Sequence, residues 1–199
     1  MSNYEERFNI AKQLHSSGRI EESQKIYLDL AKIYKNNYTL FYLIGTTFLQ
    51  LKKFDDAIDN FHTSIDINSN FPEVYNNLGI ALAEKEKYSE ALVNYNKAIK
   101  LKNDYIDAHI NRGVSLNKLK KFQDAISDLN FVIKTQPLNP LAHNNLGNIF
   151  KELKNYDEAI NSYDKAININ QNYLEAINNK ALILNFQKKY ENSLIELNK

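Results

Sequence analysis

The chain has 199 residues, no cysteine and nearly balanced charge, with 25 lysines and arginines against 24 aspartates and glutamates. The lack of cysteine excludes disulfides, thiol catalysis and cysteine-ligated zinc, and the balanced charge disfavours a nucleic-acid or anionic-membrane surface. The first residues are polar and acidic, and no apolar run reaches membrane-spanning length. We therefore expect a soluble, cytoplasmic protein that does not bind membranes.

Small residues recur at an interval of 34 residues along the chain. The two clearest columns are a glycine at Gly45, Gly79, Gly113 and Gly147 and an alanine at Ala57, Ala91, Ala125 and Ala159. A unit of this length cannot bury its own apolar face and must stack on copies of itself. The period predicts one continuous array. Its copies span approximately residues 4–37, 38–71, 72–105, 106–139, 140–173 and 174–199, the last of them incomplete.

Each copy is predicted to contain two amphipathic helices. In the copy at residues 72–105, one apolar face at helical spacing precedes Lys87-Tyr88 and a second follows it. These faces comprise Tyr75, Leu78, Gly79 and Leu82, and then Ala91, Leu92, Tyr95, Ala98 and Ile99. The spacing indicates an all-α fold of antiparallel helix pairs joined by short turns.

An aromatic residue stands at the start of the predicted second helix in the last five copies, at Phe54, Tyr88, Phe122, Tyr156 and Tyr190. We expect these rings to fill the room that the glycine and alanine columns leave opposite them. Acidic residues such as Asp55-Asp56 and Asp157-Glu158 follow the rings directly. They favour the N-terminal turn of the second helix through capping and the helix dipole.

The repeated pattern resembles the tetratricopeptide repeat. The residues that carry the resemblance are Tyr75, Leu78, Gly79 and Leu82 in the first helix and Tyr88, Ala91, Tyr95 and Ala98 in the second. It covers the whole chain in six copies, although the family's proline at the end of the second helix survives only as Pro137. The resemblance implies a right-handed superhelical solenoid that binds a protein or peptide in a concave groove lined by the first helices.

Asparagines dominate the positions that the resemblance assigns to this first-helix groove. The partner-binding residues predicted on this basis are Asn9, Tyr42, Asn76, Asn77, Asn111, Asn144, Asn145, Asn148, Asn178 and Asn179. Each primary amide offers two donors and an acceptor, so a ladder of amides can bind an extended peptide backbone with little regard to its side chains. The array is similar to the asparagine ladder of O-linked N-acetylglucosamine transferases. Asparagine is also common at this place in ordinary tetratricopeptide repeats.

The first two copies carry a more apolar surface at the same positions. Phe8, Tyr42, Leu43, Thr46 and Leu49 either receive hydrophobic side chains of a ligand or pack against neighbouring helices. Lys118 and Lys151 lie among acidic residues, so the predicted groove is mixed rather than basic and does not favour a clamp for a terminal carboxylate.

The remaining chemically suggestive residues have structural interpretations. His109 and His143 share one column with Tyr75, and we expect them to be packing residues rather than metal ligands. Arg112 replaces a core aliphatic residue, so its stem is expected to pack while its head meets a carboxylate or water. No nucleophile triad, phosphate loop or nucleotide motif is present. We predict no cofactor, no metal and no enzymatic activity in the chain as given.

The sequence leaves three functions open. The first is a protein-interaction scaffold that holds a peptide or partner protein in the first-helix groove. The second is a substrate-recruiting N-terminal region of a larger glycosyltransferase or sulfotransferase. The third is self-association, because the sixth copy stops at Lys199 inside its predicted second helix and leaves an uncovered apolar face.

Overall fold

The computed structural model describes the backbone of residues 4–197 and the side chains as far as Lys188. The predicted ring Tyr190 lies outside the described side chains. The described residues form α-helices and no strand, which confirms the all-α class. The first helices are α1 (Tyr4–Ser16), α3 (Tyr38–Gln50), α5 (Pro72–Glu84), α7 (Ile106–Lys118), α9 (Pro140–Glu152) and α11 (Leu174–Leu197). The second helices are α2 (Ile20–Ile33), α4 (Phe54–Ile67), α6 (Tyr88–Leu101), α8 (Phe122–Thr135) and α10 (Tyr156–Ile169).

The chain divides into two compact units, residues 1–111 (unit 1) and residues 112–199 (unit 2), and the division falls within α7. In unit 1, α1 to α6 pack in sequence, each helix against the next. Its core lies around the fully buried Tyr27, Phe61 and Tyr95. In unit 2, α8 to α11 pack in the same way, with a core around Tyr163.

Three of the four repeated glycines face an aromatic ring of the second helix. A β-carbon built on Gly45 would lie 2.6 Å from the Phe61 ring, and one on Gly79 only 2.5 Å from the Tyr95 ring. Gly147 meets Tyr163 in the same way, at 2.5 Å. The glycines therefore make room for rings, as expected, but the predicted rings were the wrong ones. Phe54, Tyr88, Phe122 and Tyr156 begin the second helices and are only half-buried.

The first helices of the five complete pairs each end in a turn of the same type. In α9, the Lys154 N–H donates to the Lys151 carbonyl at 3.0 Å and the Asn155 N–H to the Phe150 carbonyl at 2.9 Å. This is a Schellman motif, in which one residue adopts a left-handed conformation. The residues with positive φ in these turns are Gly18, Lys52, Glu86, Lys120 and Lys154. Only the first of them is a glycine, so four turns hold a side chain in a conformation that favours glycine.

The second helices begin without side-chain caps, contrary to the capping predicted for the acidic residues. Lys53, Lys87, Lys121 and Asn155 occupy the cap positions and make no capping side-chain hydrogen bond. Acidic residues such as Asp55 and Asp157 lie inside the first turn instead. There they stabilise the helix through its dipole, which is the other half of the prediction.

The sixth copy differs from the predicted helix pair because α11 runs without a break from Leu174 to Leu197. Lys188 falls in the column of left-handed turn residues, where a lysine costs about 1 kcal/mol or more. In the other copies, packing of the second helix on the first offsets this cost.

Candidate functional site

Asparagine side chains connect neighbouring first helices in unit 1. The Asn111 amide donates to Oδ1 of Asn76 at 3.0 Å. The Asn77 amide lies 3.3 Å from the Tyr42 hydroxyl and 3.4 Å from Oγ1 of Thr46. Asn76 in turn donates to Asn77 at 3.3 Å, so the four polar residues of α3 and α5 and Asn111 form one chain of hydrogen bonds.

The same arrangement recurs in unit 2. The Asn179 amide donates to Oδ1 of Asn148 at 3.1 Å and lies 3.5 Å from Oδ1 of Asn144. The Tyr163 hydroxyl also donates to Asn148, at 2.9 Å, and the Asn144 amide donates to Glu175 at 2.9 Å. In both units an amide on one first helix thus reaches two polar groups one helical turn apart on the preceding first helix.

Burial separates the predicted binding residues into two groups. Asn144 is completely buried and Asn76 is 4% exposed, so their amides serve contacts between helices. Asn77, Asn111, Asn145, Asn148 and Asn179 are half-buried, and Asn9 and Asn178 are exposed. Tyr42 is half-buried, and burial raises the pKa of its hydroxyl.

Unit 2 contains a cavity of about 280 Å³ on its first-helix side, hereafter the unit-2 cavity. Residues of α7, α9 and α11 line its walls, and Leu129 of α8 contributes to its floor. The lining residues are Gly113, Val114, Asn117, Lys118, Leu129, Asn145, Asn148, Ile149, Lys151, Glu152, Glu175 and Asn179. Three predicted partner-binding asparagines, at positions 145, 148 and 179, therefore meet in one concave site.

The carboxylates of the unit-2 cavity are already engaged. Glu152 accepts from the Asn117 amide at 3.2 Å and pairs with Lys120, and Glu175 accepts from Asn144. Lys151 donates to Oδ1 of Asn179 at 3.1 Å. In contrast, Lys118 and Asn145 make no hydrogen bond or ion pair to another described residue.

Several donors and two acceptors, Oδ1 of Asn145 and Oδ1 of Asn117, therefore make no hydrogen bond to another described residue. The free donors are the Lys118 ammonium, the Asn145 amide and the Asn148 amide, whose oxygen is the atom that accepts from Asn179 and Tyr163. Oδ1 of Asn117 is buried without a partner among the described residues. A ligand rich in hydrogen-bond acceptors, such as a peptide backbone with its carbonyls, matches this set.

The histidines of the predicted packing column behave alike. His109 lies 3.1 Å through Nε2 from the carbonyl oxygen of Asn103, and His143 lies 3.1 Å from that of Pro137. Tyr75 donates its hydroxyl to the Ser69 carbonyl at 3.2 Å in the same register. Each ring thus satisfies a carbonyl in the turn before its own helix. No group of three possible metal ligands lies among the described residues.

Two basic residues replace core aliphatics, and both find carboxylates. Arg112 donates from Nε and a terminal nitrogen to the two oxygens of Asp128, at 2.7 and 2.5 Å, and Asp128 is 5% exposed. This confirms that the Arg112 head meets a carboxylate. Lys180 pairs with Asp164 at 2.5 Å. Sequence inspection did not identify either acidic partner, because each lies on a second helix sixteen positions away.

The apolar positions at the start of the chain pack into unit 1. The Tyr42 ring makes an edge contact with Phe71, with 4.9 Å between the ring centroids. Phe8 stacks on Tyr4 at 5.4 Å and, with Leu43, borders the core around Tyr27. Leu49 borders the core around Tyr95. These contacts favour the packing interpretation of this surface over a hydrophobic ligand site.

None of the helices described for residues 4–197 is both long and apolar enough to cross a lipid bilayer. Stacked helix pairs that repeat every 34 residues and share one turn define an α-helical repeat protein. Models of the tetratricopeptide repeat match residues 45–85, 81–120 and 140–173, which together make up more than half of the chain. The chain belongs to the tetratricopeptide-repeat family.

Solved structures of this family share the fold. YrrB, described as a protein of this family with an unusual peptide-binding site, has 22% identity and a TM-score of 0.72, over 88% of this chain and 90% of its own. A thermophilic family member from Thermus thermophilus has 19% identity and a TM-score of 0.74, over 90% of this chain and 98% of its own. A repeat protein from Parabacteroides merdae has 16% identity and a TM-score of 0.80, over 98% and 77%. No curated protein gives a significant sequence match.

Proposed function

We propose that the chain is a protein-interaction scaffold that binds an extended peptide segment of a partner against its first helices. Tetratricopeptide-repeat proteins are protein-interaction scaffolds, and YrrB has a peptide-binding site. The observation that carries the proposal is the unit-2 cavity, where Asn145, Asn148 and Asn179 meet beside the unengaged Lys118. A peptide backbone supplies the carbonyl acceptors that Lys118, Asn145 and Asn148 lack.

In unit 1 the same role is proposed for the half-buried or exposed members of the predicted set. Asn9, Tyr42, Asn77 and Asn111 are the candidates there, and Asn178 is a further candidate on α11. Asn76 and Asn144 contribute indirectly, because their buried amides hold neighbouring first helices together. The proposed contact is therefore made by amides that still have donors or acceptors free.

Asn145 is the best residue for a test because its side chain bonds to no other described residue. Random linear peptides displayed on phage are selected on the wild-type chain, and the affinities of synthetic copies are measured by calorimetry. Asn145→Ala is expected to weaken binding about two- to tenfold, as loss of one hydrogen bond does. The matched control is Asn161→Ala, which removes an exposed amide from α10. Failure to select any peptide, or equal binding by both variants, contradicts the proposal.

Self-association is a second candidate, supported by exposed apolar side chains on α11. Leu174 is 70% exposed, Leu182 64% and Phe186 56%. Burial of such residues against a second copy would remove apolar surface from water. Light scattering at several concentrations is expected to show a dimer that Leu182→Lys abolishes and that Leu138→Lys, in the exposed turn after α8, leaves intact. A monomer at every concentration contradicts this candidate.

Recruitment of substrates for a transferase domain on a longer polypeptide stays a prediction, as do the cytoplasmic location and the absence of catalysis. The sequence of the transcript tests recruitment directly. A catalytic domain in the same reading frame supports it, and a stop codon immediately after Lys199 contradicts it.

A further inference from the structure

The fourth copy breaks the pattern of rings that fill the glycine column. At the position where unit 1 has Phe61 and Tyr95 and the fifth copy has Tyr163, the fourth copy has Leu129. Gly113 nevertheless keeps its place opposite. Leu129 meets Gly113 at ordinary contact distance and does not extend past it as a ring would, and both residues line the unit-2 cavity.

The fifth copy shows what the missing ring would occupy. The Tyr163 ring passes Gly147 so closely that an added β-carbon would lie 2.5 Å from it, and the hydroxyl reaches Oδ1 of Asn148 at 2.9 Å. The ring therefore extends from α10 to the groove side of α9. Leu129 lacks the distal half of such a ring. Its Cγ and Cδ2 lie 3.4 and 3.5 Å from the β-carbon position of Gly113.

The space left by the missing ring has apolar walls and a polar rim. Gly113, Val114, Leu129 and Ile149 form its apolar side, where Val114 is 37% exposed and Leu129 and Ile149 are fully buried beneath it. The rim carries Asn117, Lys118, Asn145 and Asn148, several of which keep unused hydrogen-bonding groups. An apolar floor beneath unpaired donors suits an apolar side chain whose flanking backbone carbonyls reach the rim.

We propose that the unit-2 cavity is a subsite for one apolar side chain of the bound peptide, created by Leu129 where other copies have a ring. The proposal rests on the proposed function and adds sequence selectivity to it. Amides that bind only backbone groups would accept any extended segment, whereas a filled apolar subsite favours peptides with a hydrophobic residue at one fixed position.

The test uses the peptides selected on the wild-type chain and a variant that closes the subsite. Leu129→Tyr restores the ring and is expected to weaken binding of the selected peptides about tenfold. Val114→Lys places a charge at the mouth of the subsite without altering the buried core, and it is expected to have a similar effect. Leu138→Tyr adds a ring at a side chain that is 78% exposed and serves as the control. Thermal unfolding checks that all three variants fold.

The outcomes distinguish the subsite from the proposed function. Support requires that the wild-type chain enriches a hydrophobic residue at one position and that changing it to alanine removes the difference between wild type and Val114→Lys. If peptides bind through Asn145 but show no such position, or bind both subsite variants as tightly as wild type, the subsite is refuted and the scaffold function stands. If no peptide binds the wild-type chain, both are refuted.

Discussion

At the level of single residues, two glycines in the same column have different surroundings. A β-carbon on Gly79 would lie 2.5 Å from the Tyr95 ring, whereas one on Gly113 would lie 3.4 Å from the nearest atom, Cγ of Leu129. The first distance is a clash with a fully buried ring, and the second is ordinary contact. The same sequence column is therefore a steric requirement in one copy and not in the other.

Alanine substitutions at these glycines are expected to have opposite effects. Gly79→Ala forces the Tyr95 ring to shift and should lower the free energy of unfolding by about 1–3 kcal/mol. Gly113→Ala adds a better helix former without a clash and should raise it by up to about 1 kcal/mol. Urea unfolding of both variants measures the difference. Equal destabilisation would show that the column acts through helix packing alone and not through the ring.

Two tyrosines of another column differ in their hydroxyl partners. The Tyr163 hydroxyl donates to Asn148, whereas the fully buried Tyr27 hydroxyl has no partner among the described residues. Tyr163→Phe should lower the free energy of unfolding by about 1 kcal/mol, because it leaves Asn148 with one bond fewer. Tyr27→Phe should leave it unchanged or raise it by up to about 1 kcal/mol. Chemical denaturation at neutral pH measures both free energies of unfolding. An equal decrease in the two variants would contradict the difference between the two hydroxyls.

Tyr27 also predicts how stability changes in alkaline solution. Burial raises the pKa of its hydroxyl from 10.0 to about 12. Between these values the unfolded chain has lost the proton that the folded chain keeps, so stability falls as pH rises through this window. Tyr27→Phe should make the fall shallower between pH 10 and 12. An unchanged slope would show that this hydroxyl does not contribute to alkaline unfolding.

At the level of helices and turns, the turns after the four first helices α3, α5, α7 and α9 store some strain. Lys154 has a φ of 63°, and Lys52, Glu86 and Lys120 have similar values. Lys154→Gly should stabilise the chain by about 1 kcal/mol, because glycine adopts this conformation without a steric penalty. Lys165→Gly, at an exposed site within α10, should destabilise it by about 1 kcal/mol and is the control. Thermal unfolding measures both variants. If Lys154→Gly does not stabilise the chain, the turn is not strained.

The sequence predicts the helices better than it predicts their partners. Small residues and apolar stripes follow the chain itself, so their period identifies the helix pairs directly. Which ring fills which glycine depends on the approach of two helices. The true partner of Gly79 is Tyr95, which lies seven residues after Tyr88, the ring predicted at the turn. The left-handed residue is also not recognisable in four of the five turns, because lysine or glutamate occupies the position where glycine would indicate it.

At the level of the whole molecule, the candidate site was only partly readable from the sequence. The asparagine column is visible as a repeat, but its residues have unequal roles because hydrogen bonds to the preceding helix engage some of them. Asn144 is fully buried, while Asn145, the next residue, is free to bind. The apolar lining of the unit-2 cavity was not predicted. The sequence does indicate it, because Leu129 stands at a position that is aromatic in the other copies where it is described.

The first helices are proposed to bind a peptide, with the unit-2 cavity as part of the contact. The most direct measurement is the change in backbone amide NMR shifts of the full chain when a selected peptide is added. We expect the largest changes in unit 2 on Asn145 and Asn148 of α9, on Val114 and Lys118 of α7, and on α11. Changes confined to the exposed positions of α8 and α10, with none around Asn145, would contradict it.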